Sequence, residues 1–358
     1  QIRAPQASDW LADAAGLGAA FLIIFILLQG WASPLTGWSV DASASAILRN
    51  GFLPSYVLIL YLLVGQSAST ARALIRSPLL ILLVALCFVS AFWSIDADAT
   101  LRRSVALLFT SLAGVVISAR WGWRTVAELL AGNFALIALG SLAVGILIPQ
   151  YGRMDELFPG SWRGLYLEKN ALGGIMSLGV SVCGAAAILR PDRRTLWLCS
   201  AVLCLVLVLL STSKTSLVST VLGVASIMGI WLVRRGPATA VVVTWFATLL
   251  VGTIAAVLIV APGLVFETLG KDATFTGRTE IWTAAIRQVQ TQPWTGFGYG
   301  VLWDHRAPYE PASWIASHAG FVAGHAHNGW LEVWLALGYI GLAIWTLYFL
   351  EIFFRSLV

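Results

Sequence analysis

"TVAELLAGNFALIALGSLAVGILI", residues 125–148, decides the architecture. After Glu128 it runs for twenty residues without an ionisable side chain. A helix needs about 20 apolar residues to cross a hydrocarbon core of about 30 Å. Working outward, runs of the same kind fall near 15–33, 51–66, 78–94, 104–119, 169–189, 196–211, 215–233, 239–260 and 329–350, about ten in all. The composition agrees: 59% hydrophobic, 11% charged, mean hydropathy +0.84, against about a quarter charged in soluble domains. The chain reads as an all-α, polytopic transmembrane helix bundle of about 10–12 spans.

The first run lacks a small-residue cleavage site and later spans follow it, so a retained helix is expected. The sequence opens at Gln1 rather than methionine, so residues upstream are expected to be missing. All four cysteines (Cys87, Cys183, Cys199, Cys204) lie inside predicted spans, where cysteine packs as a small hydrophobe.

Lys and Arg in the short loops orient the bundle. With the N-terminus inside, the inner loops carry Arg3, Arg72, Arg76, Arg120, Arg124, Arg190, Arg193, Arg194, Arg234, Arg235 and Arg355 against five acids. The outer side is close to neutral. The basic pI of about 9.2 is therefore a topology signal and gives no reason to invoke nucleic acid.

Inner loops such as "RPDRRT" (190–195) and "RRGP" (234–237) are tight. Two outer segments are long: 149–170, and 261 to about 328, the larger of which predicts a cap. One membrane domain, 1–358, carrying that cap is the simplest organisation. Within the cap, Ile281, Trp282, Ala285, Ile286 and Val289 recur at helical spacing, with Thr279 placed to cap the start and Pro293 forcing an end near Thr291. A helix this short and polar lies on a surface instead of spanning. "GFGYG" (296–300) follows no strand and predicts a tight turn, not a nucleotide loop.

Inner arginines are explained by topology; the outer cations Arg102, Arg103, Arg163, Lys169, Lys214, Arg278 and Arg287 are not. Guanidinium offers a planar fork to phosphate oxygens, while a single cation at a span mouth also suits snorkelling to headgroups. Their convergence favours an anion site. All four histidines, His305, His318, His325 and His327, fall in one stretch of the cap. His325 and His327 form H-x-H, yet no acid or cysteine stands at a companion spacing for a metal, Asp304 and Glu310 being the nearby carboxylates. Neutral imidazole suits proton abstraction from a hydroxyl, and Asn328 can cap the last span behind His327. A coupled transporter needs ionisable residues at depth, and the spans hold almost none. "STSKTS" lacks a phosphate-loop glycine spacing, and no Asp-x-Asp pair is present.

Five ordered stretches, "SAFWSIDADATLRRS" (90–104), "RGLYLEKNALGG" (163–174), "STSKTS" (211–216), "GRTEIW" with "QPWTGFGYGVLW" (277–282, 292–303) and "AHNGWLEVWLALGYIGL" (326–342), resemble the O-antigen ligase and polymerase superfamily of bacterial membrane glycosyltransferases. The turn ending in Val-Leu-Trp resembles the exopolysaccharide repeat-unit polymerase branch. The resemblance implies a GT-C-like bundle in the bacterial inner membrane with its active site facing the periplasm. It also implies metal-independent transfer, without a cofactor, from a polyprenyl-pyrophosphate-linked oligosaccharide donor. Acceptors would be a glycan (polymerase) or lipid A-core (ligase); a chain-length regulator is a possible partner, and membrane lipids surround the whole.

The family's loop arginine falls on Arg278 and its loop-end histidine on His327, the implied catalytic pair. Arg163, Lys169, Arg102 and Lys214 fall on its pyrophosphate-binding positions. His325, His318, Trp282 and Trp303 would line the acceptor or glycan path, with Trp294, Trp314 and Trp330 also able to stack on sugars. From another class, a lipid-linked oligosaccharide flippase would show two related halves and a polar central pathway; the sequence has neither.

Overall fold

A computed structural model describes residues 7–39, 42–155, 158–260, 278–304 and 309–357. His305, Gly277, Glu156, Leu157 and the opening of the cap at 261–277 lie outside the described residues. Among the described residues every regular element is a helix, with one isolated bridge, Arg153 to Trp162. In chain order the helices are α1 Ala7–Leu27, α2 Ala32–Thr36, α3 Ala42–Gly51, α4 Leu53–Val64, α5 Ser67–Ile75, α6 Pro78–Val89, α7 Ala97–Arg120 and α8 Trp123–Leu147. They continue with α9 Pro149–Gly152, α10 Lys169–Leu189, α11 Arg194–Leu210, α12 Lys214–Val233, α13 Pro237–Val260, α14 Arg278–Val289, α15 Pro311–Ala319 and α16 Gly329–Leu357.

Among the described residues seven helices are long and apolar enough to cross a membrane, and α5 with α6, bent by 90°, makes an eighth if counted as one span. Shorter apolar helices at Asp13–Leu27 and Pro237–Leu250 match the two remaining runs of the sequence. The protein is a multi-pass membrane protein. Outward faces such as Val241, Val242, Trp245 and Phe246 are exposed, as lipid-facing residues are.

The chain forms two compact units: Gln1–Thr70 with Leu112–Trp245, and Ala71–Ser111 with Phe246–Val358. In the first, α8, α10 and α11 pack around Phe134, Ile137, Leu172, Met176, Cys204 and Leu207. Small residues set the spacing: a Cβ on Gly179 would lie 2.8 Å from Cys204 Sγ. The arginine-rich end is an ion-pair cluster, with Arg190 2.6 Å from Glu128 and 3.0 Å from Asp192, and Arg193 3.3 Å from Glu128. Arg120 lies 3.6 Å from Asp13. Residues assigned to one side by charge bias thus meet at one end of this unit.

In the second unit α16 is broken. Gly338 adopts φ 64 and ψ −165, a region open essentially to glycine alone. A break strands backbone groups that must be satisfied within protein, and the segment before and through "GFGYG" supplies the partners. Phe297 and Gly298 donate N–H to the Leu335 and Ala336 carbonyls at 2.9 and 3.0 Å, while Pro293 and Trp294 carbonyls accept from Tyr339 and Ile340 at 2.8 and 3.4 Å. Gly296, Gly298 and Gly300 all take positive φ, so the expected tight turn is present. A Cβ on Gly338 would stand 2.1 Å from the Trp294 carbonyl carbon, which is why the strap and the break require each other.

Candidate active site

The outer cations divide between the units. In the first, the segment after α8 folds back through α9. Trp162 N–H donates to the Leu210 carbonyl at 3.0 Å, and Arg163 and Gly164 N–H both donate to Gly152 O. Arg163 spends part of its guanidinium on this loop: Nε donates to Tyr151 O at 2.7 Å and Nη2 to Gln150 O at 3.3 Å.

Lys169 and Lys214 are the first residues of α10 and α12 and are close enough to repel one another. Lys169 Nζ donates to Thr212 Oγ1 at 3.3 Å and lies 3.6 Å above the Phe158 ring. The turn between α11 and α12 is pinned beneath them. Ser213 caps α12 by accepting from Ser216 N, and donates to Asn170 Oδ1 at 2.9 Å. Thr212 sits at φ 53. A cation at a helix N-terminus opposes the macrodipole, and here two do so side by side. Helix N-termini and ammonium groups together form an arrangement suited to an anion.

In the second unit, α14 begins at Arg278 and buries Ile281, Ala284, Ala285 and Val289. The predicted amphipathic helix is therefore present, ending two residues before Thr291, with Thr279 inside it and not in the capping position. α14 packs on α15 and α16 around Phe297, Leu302, Ile315, Leu331 and Leu335.

The histidine loop lies at the start of α16. Asn328 caps the helix as its sequence position suggested, Oδ1 accepting from Trp330 N at 3.1 Å and Leu331 N at 3.3 Å. Ala326, fully buried, is clamped on both sides of its peptide. Its carbonyl accepts Trp282 Nε1–H at 2.7 Å, and its N–H donates to Glu332 Oε1. Glu332 Oε2 in turn accepts Trp303 Nε1–H at 2.9 Å. His327 follows at φ 53, a conformation that is uncommon for a residue with a Cβ. Its N–H donates to His325 Nδ1 at 3.2 Å, and the two rings lie 3.8 Å apart, centre to centre. His327 is held below the usual histidine pKa, first by partial burial and then by the positive character of His325 and Arg278. Neutral imidazole, the form able to accept a proton, therefore persists to lower pH than for a free histidine.

The remaining predicted residues fall elsewhere. His318 stacks on Trp314 at 3.8 Å, with Nδ1 2.8 Å from Trp314 O, and lines a cleft of about 290 Å³ with Thr283, Glu280 and Arg287. Trp282 and Trp303, expected to stack on sugars, present their indole N–H groups to the loop and to Glu332. Arg103 is ion-paired to Asp304, whereas Arg102 is exposed with no such partner among the described residues. No three His, Cys, Asp or Glu among the described residues group as metal ligands.

Glu332 corrects the sequence reading. The sequence points to Asp304 and Glu310 as the nearby carboxylates, whereas the carboxylate that holds the loop is Glu332, five residues after His327, one turn into α16 and facing back to the loop. Its signal was a carboxylate in the first turn of a helix behind a capping Asn. The Thr212 and Ser213 turn carried a comparable signal in "STSKTS".

A family model described as O-antigen ligase matches residues 199–346, an interval holding Lys214, Arg278, His325, His327 and Glu332. The chain is 30% identical over 335 residues to the O-antigen ligase of Pseudomonas aeruginosa, covering 90% of this chain and 75% of that protein. It is 29% identical over 284 residues to the exopolysaccharide production protein ExoQ of Rhizobium meliloti, covering 75% of this chain and 62% of that protein. The chain thus spans less than two thirds of the length of the latter relative. No solved structure matches it.

Proposed function

We propose, for a chain that belongs to the O-antigen ligase and polymerase superfamily, that it transfers a glycan from a polyprenyl-pyrophosphate donor to a sugar hydroxyl, as a repeat-unit polymerase of the bacterial inner membrane acting at the periplasmic face. The observation that carries this reading is the clamped His327. It is an imidazole kept neutral by its surroundings, at a rigid helix mouth, within electrostatic reach of Arg278.

In the proposed step the acceptor oxygen attacks the anomeric carbon as the bond from that carbon to the pyrophosphate oxygen breaks. His327 takes the hydroxyl proton, and the electron pair of the broken bond leaves on the terminal phosphate oxygen of polyprenyl pyrophosphate. A single displacement inverts the anomeric centre. Charge developing on the leaving oxygens is stabilised by a fixed cation, here Arg278, within electrostatic reach of His327; pyrophosphate binding is proposed for Arg163, Lys169 and Lys214 of the first unit and, separately, for Arg102 of the second. His325, His318, Trp282 and Trp303 belong to the acceptor side of this proposal.

Ligation onto lipid A-core is the second reading, favoured by the 75% coverage of the Pseudomonas O-antigen ligase. Reconstituted protein supplied with a polyprenyl-pyrophosphate-linked repeat unit, with and without lipid A-core, separates the two. A size ladder from donor alone marks a polymerase, and product only with lipid A-core marks a ligase. His327→Asn keeps a residue tolerant of left-handed φ and removes the base, so transfer should fall roughly 10²–10⁴-fold. Undiminished transfer would remove His327 from the chemistry.

A further inference from the structure

The end of the first unit opposite the two lysines carries a feature that the transfer reaction does not use. α11 and α12 are joined by the tight turn at 211–213, and both pack along α10, yet they pack only sparsely on each other. They part as they run from the turn, and a groove of about 520 Å³ opens between them. Gly184 and Ala187 of α10 form its floor, Leu198 of α11 and Val224 and Met228 of α12 its walls, and Arg194 its charged end. Leu198, Val224 and Met228 are exposed, and a Cβ on Gly184 would meet nothing within 4 Å. In a membrane span such a groove faces acyl chains, not water.

Charge at its mouth decides what fills it. Arg190 and Arg193 are neutralised by Glu128 and Asp192. Arg194 is exposed, has no ion pair among the described residues, and opens α11 at the N-terminal end, where the macrodipole disfavours a cation. Arg235 lies 3.7 Å over the ring of Trp231, another residue of the groove, and adds a second positive group. From Val180, a lining residue, to its end at Leu189, α10 advances ~14 Å at 1.5 Å per residue. That is about half a ~30 Å hydrocarbon core, the depth of one leaflet's acyl chain.

We propose that this groove is a binding site for an anionic phospholipid, one acyl chain lying along α10 and the headgroup phosphate on Arg194 and Arg235. The polyprenyl donor does not fit this end. Its pyrophosphate would need the cations at Lys169 and Lys214, which begin α10 and α12 at the far side of a 21-residue helix. The lipid site stands whether or not the transfer reaction is as proposed.

The test uses the whole protein in nanodiscs and in native mass spectrometry, with palmitoyl-oleoyl phosphatidylglycerol and phosphatidylcholine as probes. Wild type should retain phosphatidylglycerol roughly tenfold more strongly. Arg194→Gln should erase that preference while still retaining lipid. Gly184→Leu, whose Cβ meets nothing within 4 Å and whose branch projects into the groove, should release lipid of either headgroup with the thermal midpoint in lipid-free detergent unchanged. Equal retention of both lipids by wild type, or an Arg194→Gln variant that keeps the preference, would overturn the proposal. Loss of a dimer in Gly184→Leu with lipid retention intact would assign the groove to a second copy of the chain and overturn it equally.

Discussion

Glu332→Ala tests whether the histidine loop is held by design of its clamp. Two donors converge on this carboxylate, the Ala326 N–H and the Trp303 Nε1–H. Ala326 is fully buried, so its N–H cannot turn to water. Hydrogen bonds to a charged acceptor contribute about 1.5–3 kcal/mol each, giving the clamp ~3–6 kcal/mol. Against it stands the strain of His327 at φ 53, of order 1–3 kcal/mol. The clamp outweighs the strain while Glu332 is present; without it the strain wins and His327 relaxes away from Arg278. A displacement of about 1 Å is enough to cost 10²-fold in rate. Initial transfer rates in proteoliposomes should therefore fall roughly 10²-fold in Glu332→Ala, and much less in Glu332→Gln, which keeps an acceptor for Ala326. A double-mutant cycle with Trp303→Phe, read by denaturant midpoints, should give a coupling of about 1.5–3 kcal/mol. Wild-type rate and stability in Glu332→Ala would refute the clamp, as would additive Trp303 and Glu332 effects.

Three further outcomes follow from other contacts. His325→Asn keeps a hydrogen-bond acceptor beside His327 N–H but removes positive character that holds the His327 pKa down. The acidic limb of the rate profile should move to higher pH, and an unmoved limb would show that a different group is titrating. Lys214→Gln removes a cation from the N-terminus of α12. It should stabilise the unliganded protein by about 0.3–1 kcal/mol while raising the donor KM, and a destabilised variant would show the lysine to be structural. Gly338→Ala places a Cβ 2.1 Å from Trp294 C in a backbone region reserved for glycine. Strain and overpacking together should cost about 2–6 kcal/mol, read as lost thermal stability; near-wild-type stability would mean that α16 is not broken there.

The sequence made the spans legible because each is a continuous apolar run, and lipid selects for that without reference to any partner. Ten runs correspond one to one with the described apolar segments, including the bent pair α5 and α6. The cap helix α14 was legible for a different reason, its 3.6-residue periodicity, and Asn328 because a capping residue acts on its own neighbours. What escaped depends on distant pairings. Glu332 matters through Trp303, 29 residues away, and Ala326, and nothing local marks a carboxylate as the acceptor for both. α15 is short and opens with a proline, and its stacking of His318 on Trp314 is an i to i+4 contact hidden by the absence of a long apolar run. The tryptophans show the same limit: nothing local marks the indole N–H of Trp282 for the Ala326 carbonyl or that of Trp303 for Glu332.

The two unusual backbone positions of the second unit belong to one mechanical argument. Gly338 breaks α16, and the broken ends are satisfied by residues 293–298, which fixes the chain immediately before Trp303. Trp303 then fixes Glu332, Glu332 fixes Ala326, and Ala326 leaves His327 at φ 53. The histidine is thus positioned by hydrogen bonds that run through the break, not by packing of its own exposed ring. A side chain held this way loses little freedom on binding a ligand, so in the proposed transfer the contribution of His327 depends on the strap as much as on the imidazole. On that argument Gly338→Ala, at temperatures where the variant is still folded, should lower transfer and leave binding to the Lys169 and Lys214 end, which lies in the first unit, unchanged.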